Sequence, residues 1–199
     1  MEDSVLLGLD FANTVSWRLT PQPKEKLTGV ADLASWACRT GILSTQQARR
    51  LAAHSPARAA SLMKRAIRLR ESIYRIFAAV ASRRRPQVRD LALLNQAVRD
   101  ASARLELAPG RCPLTWRWMD PAALEYVLWP IARSAAELLT SPEVSRVRVC
   151  AAAGCGWLFL DRSRNHTRRW CDMSDCGNRE KARRHYRRVR RDKRRKSTR

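Results

Sequence analysis

The chain has 199 residues, of which 45% are hydrophobic, including seven tryptophans, enough for one helical domain plus a small appendage and too apolar for wholesale disorder. Its formal net charge of +22 repels itself unless an anionic partner is present, and the surplus is concentrated late: residues 146–199 carry 19 Lys/Arg against 5 Asp/Glu, residues 1–145 carry 21 against 13. No apolar run approaches the roughly 18 residues that span a bilayer, and the acidic opening MEDSVLLGLD has no basic segment or cleavage site, so a soluble, cytoplasmic protein without a membrane partner is expected.

In chain order, residues 9–18, if helical, place Asp10, Asn13, Thr14 and Trp17 or Arg18 on a polar stripe of an otherwise apolar element containing Leu6, Leu7, Leu9, Phe11 and Val15. Polar groups so placed need partners. From Thr28 to Thr140 the pattern is helix after helix. Thr28–Arg39 gathers Val30, Leu33, Ala34 and Ala37 on one face before Gly41. Ser44 with Gln47 is a capping box opening a helix to about His54. Ser55-Pro56 starts a helix of about 27 residues carrying Leu62, Ala66, Leu69, Ile73, Ile76, Phe77 and Val80. Pro86 interrupts, and Leu91, Leu94, Val98 and Leu105 continue the helical period to about Leu107, where Pro109 and Gly110 end it. Leu114–Met119 alternates as a half-buried strand with no obvious partner. Asp120-Pro121 then opens a last helix through Leu124, Val127, Leu128, Ile131, Ala135 and Leu138, closed by Ser141-Pro142.

The segment RVRVCAAAGCGWLFLDRS reads as a strand, a tight turn holding two cysteines and a second strand. Cys150/Cys155 and Cys171/Cys176 share the CxxxxC spacing and stand 15 residues apart. Four thiolates at that spacing close a tetrahedron around one Zn2+, a structural site with no open position. The few apolar residues here are too few for independent stability, a deficit that zinc-binding energy of roughly 10 to 16 kcal/mol covers. Buried thiols or disulfides are the bland alternative, and His166 is a substitute ligand. Cys38 and Cys112 read as core or bystander cysteines.

After Gly177, given the unusual backbone angle of the knuckle, Asn178 is a natural N-cap for REKARRHYRRVRRDKRR. Ala182, Tyr186 and Val189 form a narrow stripe able to dock on the zinc core. Arg183, Arg184, Arg187, Arg188, Arg190 and Arg191 cover the remaining faces. A charge run is often only a solvated face. Thirteen basic residues in the final 21 match instead a nucleic-acid footprint. Asn178, Arg179 and Arg183 at the helix start are candidates for base edges.

The motif CxxxxC, Phe159-x-Asp161-x-Ser163, Arg168-Arg169-Trp170-Cys171-x4-Cys176-Gly177-Asn178-Arg179-x-Lys181 closely resembles the CGNR zinc finger. Leu9-Asp10-Phe11-Ala12-Asn13-Thr14 looks like the opening of the ABATE domain that precedes it. The resemblance implies a bacterial, stress-linked transcription regulator, mainly α: a helical domain over 1–142 with a short strand segment, then a four-cysteine zinc finger over 146–190 made of a β-hairpin knuckle and a basic helix, then a basic tail over 191–199. It implies DNA as the partner and a nucleoid location, adds Arg168, Arg169 and Lys181 to the candidate contacts, and offers Asp10, Asn13, Thr14 and Arg18 as the lining of a small-effector pocket. The alternative for those four is a structural network. Trp36, Trp116, Trp118 and Trp129 would wall such a pocket, or sit in the core. The charge reads phosphate and not sugar, so an RNA-binding or ribosome-associated protein is the second reading. An enzyme using Asp10, Asn13 and Arg18 is the third, and it lacks a nucleophile–base, paired-carboxylate or phosphate-loop motif. A homodimer reading paired half-sites is compatible with all of this.

Overall fold

The structure, a computed structural model, describes residues 6–110 and 113–197, with side chains as far as residue 190. Cys112 lies outside it, as do the side chain of Arg191 and the side chains of the tail beyond. In chain order the elements are α1 (Leu7–Ala12), β1 (Val15–Ser16), β2 (Lys24–Glu25), α2 (Val30–Arg39), α3 (Thr45–Ala52), α4 (Pro56–Ala81), α5 (Val88–Ser102), β3 (Leu105–Pro109), β4 (Leu114–Trp118), α6 (Leu128–Thr140), β5 (Val147–Val149), β6 (Leu158–Leu160) and α7 (Asn178–Ser197). The architecture is mainly α, with three two-stranded antiparallel ribbons among the described residues.

The core forms around α4, whose apolar stripe of Leu62, Ala66, Leu69, Ile73, Ile76 and Phe77 is buried. A 26-residue helix spans about 39 Å, and α1, α2, α5 and α6 pack along it. The Ser44 capping box is formed, with the Gln47 amide on Ser44 Oγ and the Ser44 amide on Gln47 Oε1. Helix α1 is pressed against α6 at Gly8, where a Cβ would lie 2.9 Å from that of Ala135. No larger residue fits that crossing without moving a helix.

Three expectations are corrected. The last helix of the helical domain does not open at Asp120-Pro121: Asp120 takes a left-handed φ of 48°, Leu124–Val127 forms a 3-10 turn, and α6 begins at Leu128. The helical period does not persist to Leu107: α5 ends at Ser102, and Leu105–Pro109 becomes a strand pairing with Leu114–Trp118. In a strand, Leu105 and Leu107 share one face and meet Trp118 and Trp116 across the ribbon, cross-strand pairs that a helix would forgo. Helix α1 likewise stops at Ala12 instead of running to residue 18. Asn13 and Thr14 turn the chain into β1, and Trp17 takes a left-handed φ of 57°.

The β5–β6 hairpin carries the first two cysteines, yet it is half inside the helical domain. Val147, Leu158 and Leu160 belong to the main core, whereas Phe159, on the other face of the same strand, packs with the cysteines. Asn13 fastens this hairpin. Its Nδ2 donates to Leu158 O at 2.8 Å, and its Oδ1 accepts from Leu158 N at 2.9 Å. Trp157 Nε1 donates to Val15 O, and the amides of Arg18 and Leu19 donate to the carbonyls of Cys155 and Gly154. The knuckle and the N-terminal segment thus form a continuous seam.

Asn13→Ala strips both partners from the Leu158 peptide. An unmet hydrogen bond in a partly buried place costs about 1–3 kcal/mol, so the urea midpoint should fall by that equivalent with little change in slope. A variant as stable as the parent would remove Asn13 from this role.

A second prediction concerns acid. Asp90 is 1% exposed and accepts from Arg75 Nε and Nη2, the shortest bond being 2.6 Å. The Arg75 hydrogen bonds, outweighing burial and joined by the Arg75 charge, hold its carboxyl below the usual range. A lowered native pKa stabilises above the unfolded value of about 3.9 and is lost as pH falls through the native value. Asp90→Asn should therefore be less stable than the parent at pH 7, with the gap closing toward pH 3. A gap independent of pH would contradict it.

Candidate metal centre and nucleic-acid interface

Cys150 follows β5 directly, with its amide on Trp157 O at 2.7 Å. Gly154 and Gly156 turn the knuckle back at φ 79° and 70°, a left-handed geometry that glycine adopts without strain. The second pair arrives from the far side of the finger, tied in by Ala151 N to Arg169 O and by Cys171 N to Cys150 Sγ at 3.4 Å.

All four ligand sulfurs then lie within 4.8 Å of one another, with Cys155–Cys171 at 3.8 Å and Cys171–Cys176 at 3.6 Å. A disulfide would need about 2.05 Å. A tetrahedron with Zn–S bonds of about 2.3 Å has edges of about 3.8 Å. The donor set therefore fits one zinc with four sulfur ligands, and His166 is not among them. Its Nδ1 instead faces Asp161 O at 3.3 Å.

The electrostatics show what the metal resolves. The hydrogen bond from Cys171 holds the Cys155 thiol down to about 5. That same bond, burial and the neighbouring thiolates push Cys171 up, and burial first among several causes pushes Cys176 up to about 11. Four sulfurs this close cannot all ionise without a cation among them. Bound zinc supplies that charge and ties 150–155 to 171–176.

The loop between the pairs is organised by Asp161, which is fully buried. It accepts from Ser163 N and Oγ and from Arg168 N. Burial would raise its pKa, but these donors outweigh it and hold the carboxyl below the usual range. Arg168 turns inward, over the Phe159 ring at 5.1 Å and onto the carbonyls of Trp170 and Cys171. Its guanidinium is thereby held by the metal loop, where the sequence places it among the candidate contacts for nucleic acid.

The family model for ABATE, described as "Putative stress-induced transcription regulator", matches residues 7–142, and that for the CGNR zinc finger matches residues 146–189. The chain belongs to the ABATE family. No curated protein matches it.

The tetrapeptide that names the finger now has a physical account. Cys176 is a ligand. Gly177 lies where a Cβ would sit 3.0 Å from Met173 Sδ. Its backbone is not left-handed, contrary to expectation, since only Gly41, Gly154 and Gly156 among the described glycines have positive φ. Asn178 is not the cap: it is already helical at φ −68° and donates through Nδ2 to Ser174 O. The cap is Asp172, whose carboxylate accepts from Asp175 N at the start of a single wide turn, Met173–Gly177, that runs directly into α7. Arg179 donates to Cys176 Sγ at 3.0 Å, pairs with Asp175 and stacks over Trp17 at 4.1 Å.

Beyond this first turn α7 leaves the body. Tyr186 is 69% exposed and Val189 36%, and Ala182 is exposed too, so the expected stripe does not dock on the zinc core. The reason is where the helix is held: Cys176, Arg179 on Trp17, and Glu180 accepting from Ala153 N all lie at its start. Arg183 is half-exposed beside Glu180. Lys181, Arg184, Arg187, Arg188 and Arg190 are exposed, and none has an ion pair among the described residues. Arg169 is also exposed, over the Trp170 ring.

In the ABATE domain the polar residues are occupied within the chain. Asn13 holds Leu158. Thr14 donates to Phe11 O and accepts from Arg70, while Arg18 pairs with Glu71 at 2.6 Å, donates to Ala12 O and stacks on Tyr74. Asp10 is exposed and has a partner of its own. Nor do the tryptophans converge on one cavity: Trp36 packs on Phe11, Trp118 on Trp129, and Trp116 is 56% exposed. The residue that sequence reasoning missed is Arg70, 2% exposed, which clamps both Glu25 oxygens at 2.7 Å. Its signal was an arginine on the apolar stripe of α4, between Ala66 and Ile73.

Zinc uptake by metal-free protein at pH 7 should release protons from the raised Cys171 and Cys176 thiols, readable as acidification of a weakly buffered solution. Uptake without proton release would contradict this electrostatic account.

Proposed function

We propose that the chain is a transcription regulator that binds DNA through α7, with the zinc cluster as the fixed base from which that helix projects. The observation that carries this is the combination of an anchored first turn and a cationic remainder. Like charges at i,i+4 disfavour an isolated helix, and a row of phosphates removes that repulsion. Arginine's planar fork suits phosphate oxygens and guanine edges alike.

The reading is of a binding protein rather than an enzyme: four cysteines complete the coordination of a structural zinc and leave no position for substrate. A nucleoid-associated, cytoplasmic location goes with it. No helix among the described residues is long and apolar enough to cross a membrane. Asn13 is better explained as part of the seam to the finger, and Thr14 and Arg18 as a structural network inside the helical domain, than as the lining of an effector pocket.

Full-length, zinc-loaded protein should bind duplex DNA with an affinity that falls about a thousand-fold or more between 50 and 200 mM salt, as engagement of six to ten phosphates requires. Cys171→Ser should lose zinc and most of that binding. Salt-sensitive binding that survives zinc loss unchanged would break the proposed coupling, and a structured RNA bound far more tightly than any duplex would replace DNA as the partner.

A further inference from the structure

Away from the finger, α4 and its connection to α5 carry a second concentration of charge. Arg68, Arg75, Arg84, Arg85 and Arg89 line clefts in which Asp90 is the carboxylate among the lining residues, already neutralised by Arg75, and the nearby Glu71 is paired with Arg18 and Arg70. Arg68, Arg84, Arg85 and Arg89 have no ion-pair partner among the described residues. These arginines line two adjoining clefts of about 230 and 660 Å³ that meet at Arg75 and Asp90 and open to solvent.

The shape argues for the class of ligand. A small molecule is held in an enclosed, mostly apolar pocket, whereas this is an open cationic stretch. Arg68 and Arg75 alone, seven residues apart on α4, span about 10 Å, and the connection bearing Arg84 and Arg85 extends it. A duplex presents one charge per roughly 1.7 Å of its axis, so an extended polyanion meets several of these guanidiniums at once.

The stretch is also linked to the start of α7 by a series of stacked side chains. Arg179 stacks on Trp17, which is 39% exposed. The next residue, Arg18, stacks on Tyr74 at 4.0 Å, and Tyr74 lines the same cleft as Arg75, Arg84 and Arg85.

We propose that this face of the helical domain is a second phosphate-binding surface, across which nucleic acid held along α7 continues past Trp17 onto the α4–α5 connection. The inference rests on the nucleic-acid reading of α7. In this arrangement the helical domain takes part in binding directly, and the footprint exceeds that of the finger.

The test is the salt dependence of duplex binding by full-length, zinc-loaded protein. Arg84→Ala/Arg85→Ala should make the slope of log K against log salt shallower by about 1.8, since each phosphate contact contributes about 0.9. Arg49→Ala/Arg50→Ala removes the same charge from α3, which borders a different cleft, and should leave the slope near that of the parent. Equal slopes for the two double variants, or a parental slope for Arg84→Ala/Arg85→Ala, would overturn the proposal while leaving α7 as the binding element. Tripolyphosphate bound at Arg84 and Arg85 with duplex binding unchanged would overturn it in favour of a small-anion site. If the parent shows no salt-dependent binding, the reading of α7 fails first and this one with it.

Discussion

Four sulfur atoms drawn from two stretches of chain lie within 4.8 Å of one another, and a cluster that dense cannot hold four thiolates without a cation at its centre. One zinc meets that requirement. In doing so it fixes the distance and direction between the knuckle at 150–155 and the wide turn at 173–177, and α7 inherits its course from that turn. The finger has too little apolar surface to set this direction by packing: Cys150, Ala152, Cys155, Phe159 and Cys176 are the buried members of its own small cluster. Metal coordination substitutes for a core.

The metal alone would still leave the finger swinging on a linker. What prevents this is the division of β6 between two cores, with Leu158 and Leu160 facing the helical domain and Phe159 facing the sulfurs. A strand's alternating side chains make such a division natural. Asn13 adds the kind of side chain that can bond both backbone groups of one residue across the seam, as a donor and an acceptor in one plane. The helical domain and the zinc module are thereby one structural unit, and a helix aimed by the second is aimed relative to the first.

Much of this was legible because its causes are local. The Ser44–Gln47 box, the Ser55-Pro56 start of α4 and the alternation of Leu114–Trp118 each announce an element within a few residues, and the equal CxxxxC spacings announce the ligands. What stayed hidden depends on distant partners. Leu105 fits the helical series of Leu91, Leu94 and Val98 as well as a strand alternation with Leu107, and pairing with Trp118 and Trp116 decides between them. The polar residues of the Leu9–Thr14 motif announce a need for partners, but Leu158 lies 145 residues away. The stripe of Ala182, Tyr186 and Val189 has the spacing of a buried face, yet nothing among the described residues is placed to cover it. The capping role of Asp172 is hidden in the sequence because a wide turn, rather than a loop, precedes Asn178.

The account is tested most directly by measuring zinc content and backbone hydrogen exchange together on the full chain, before and after thorough chelation. It predicts one zinc per chain, and on chelation a loss of protection through 150–177 and the first turn of α7 while α4 and α6 stay protected. Protein that purifies without stoichiometric zinc, or whose 150–177 segment exchanges no faster once the metal is gone, would contradict it.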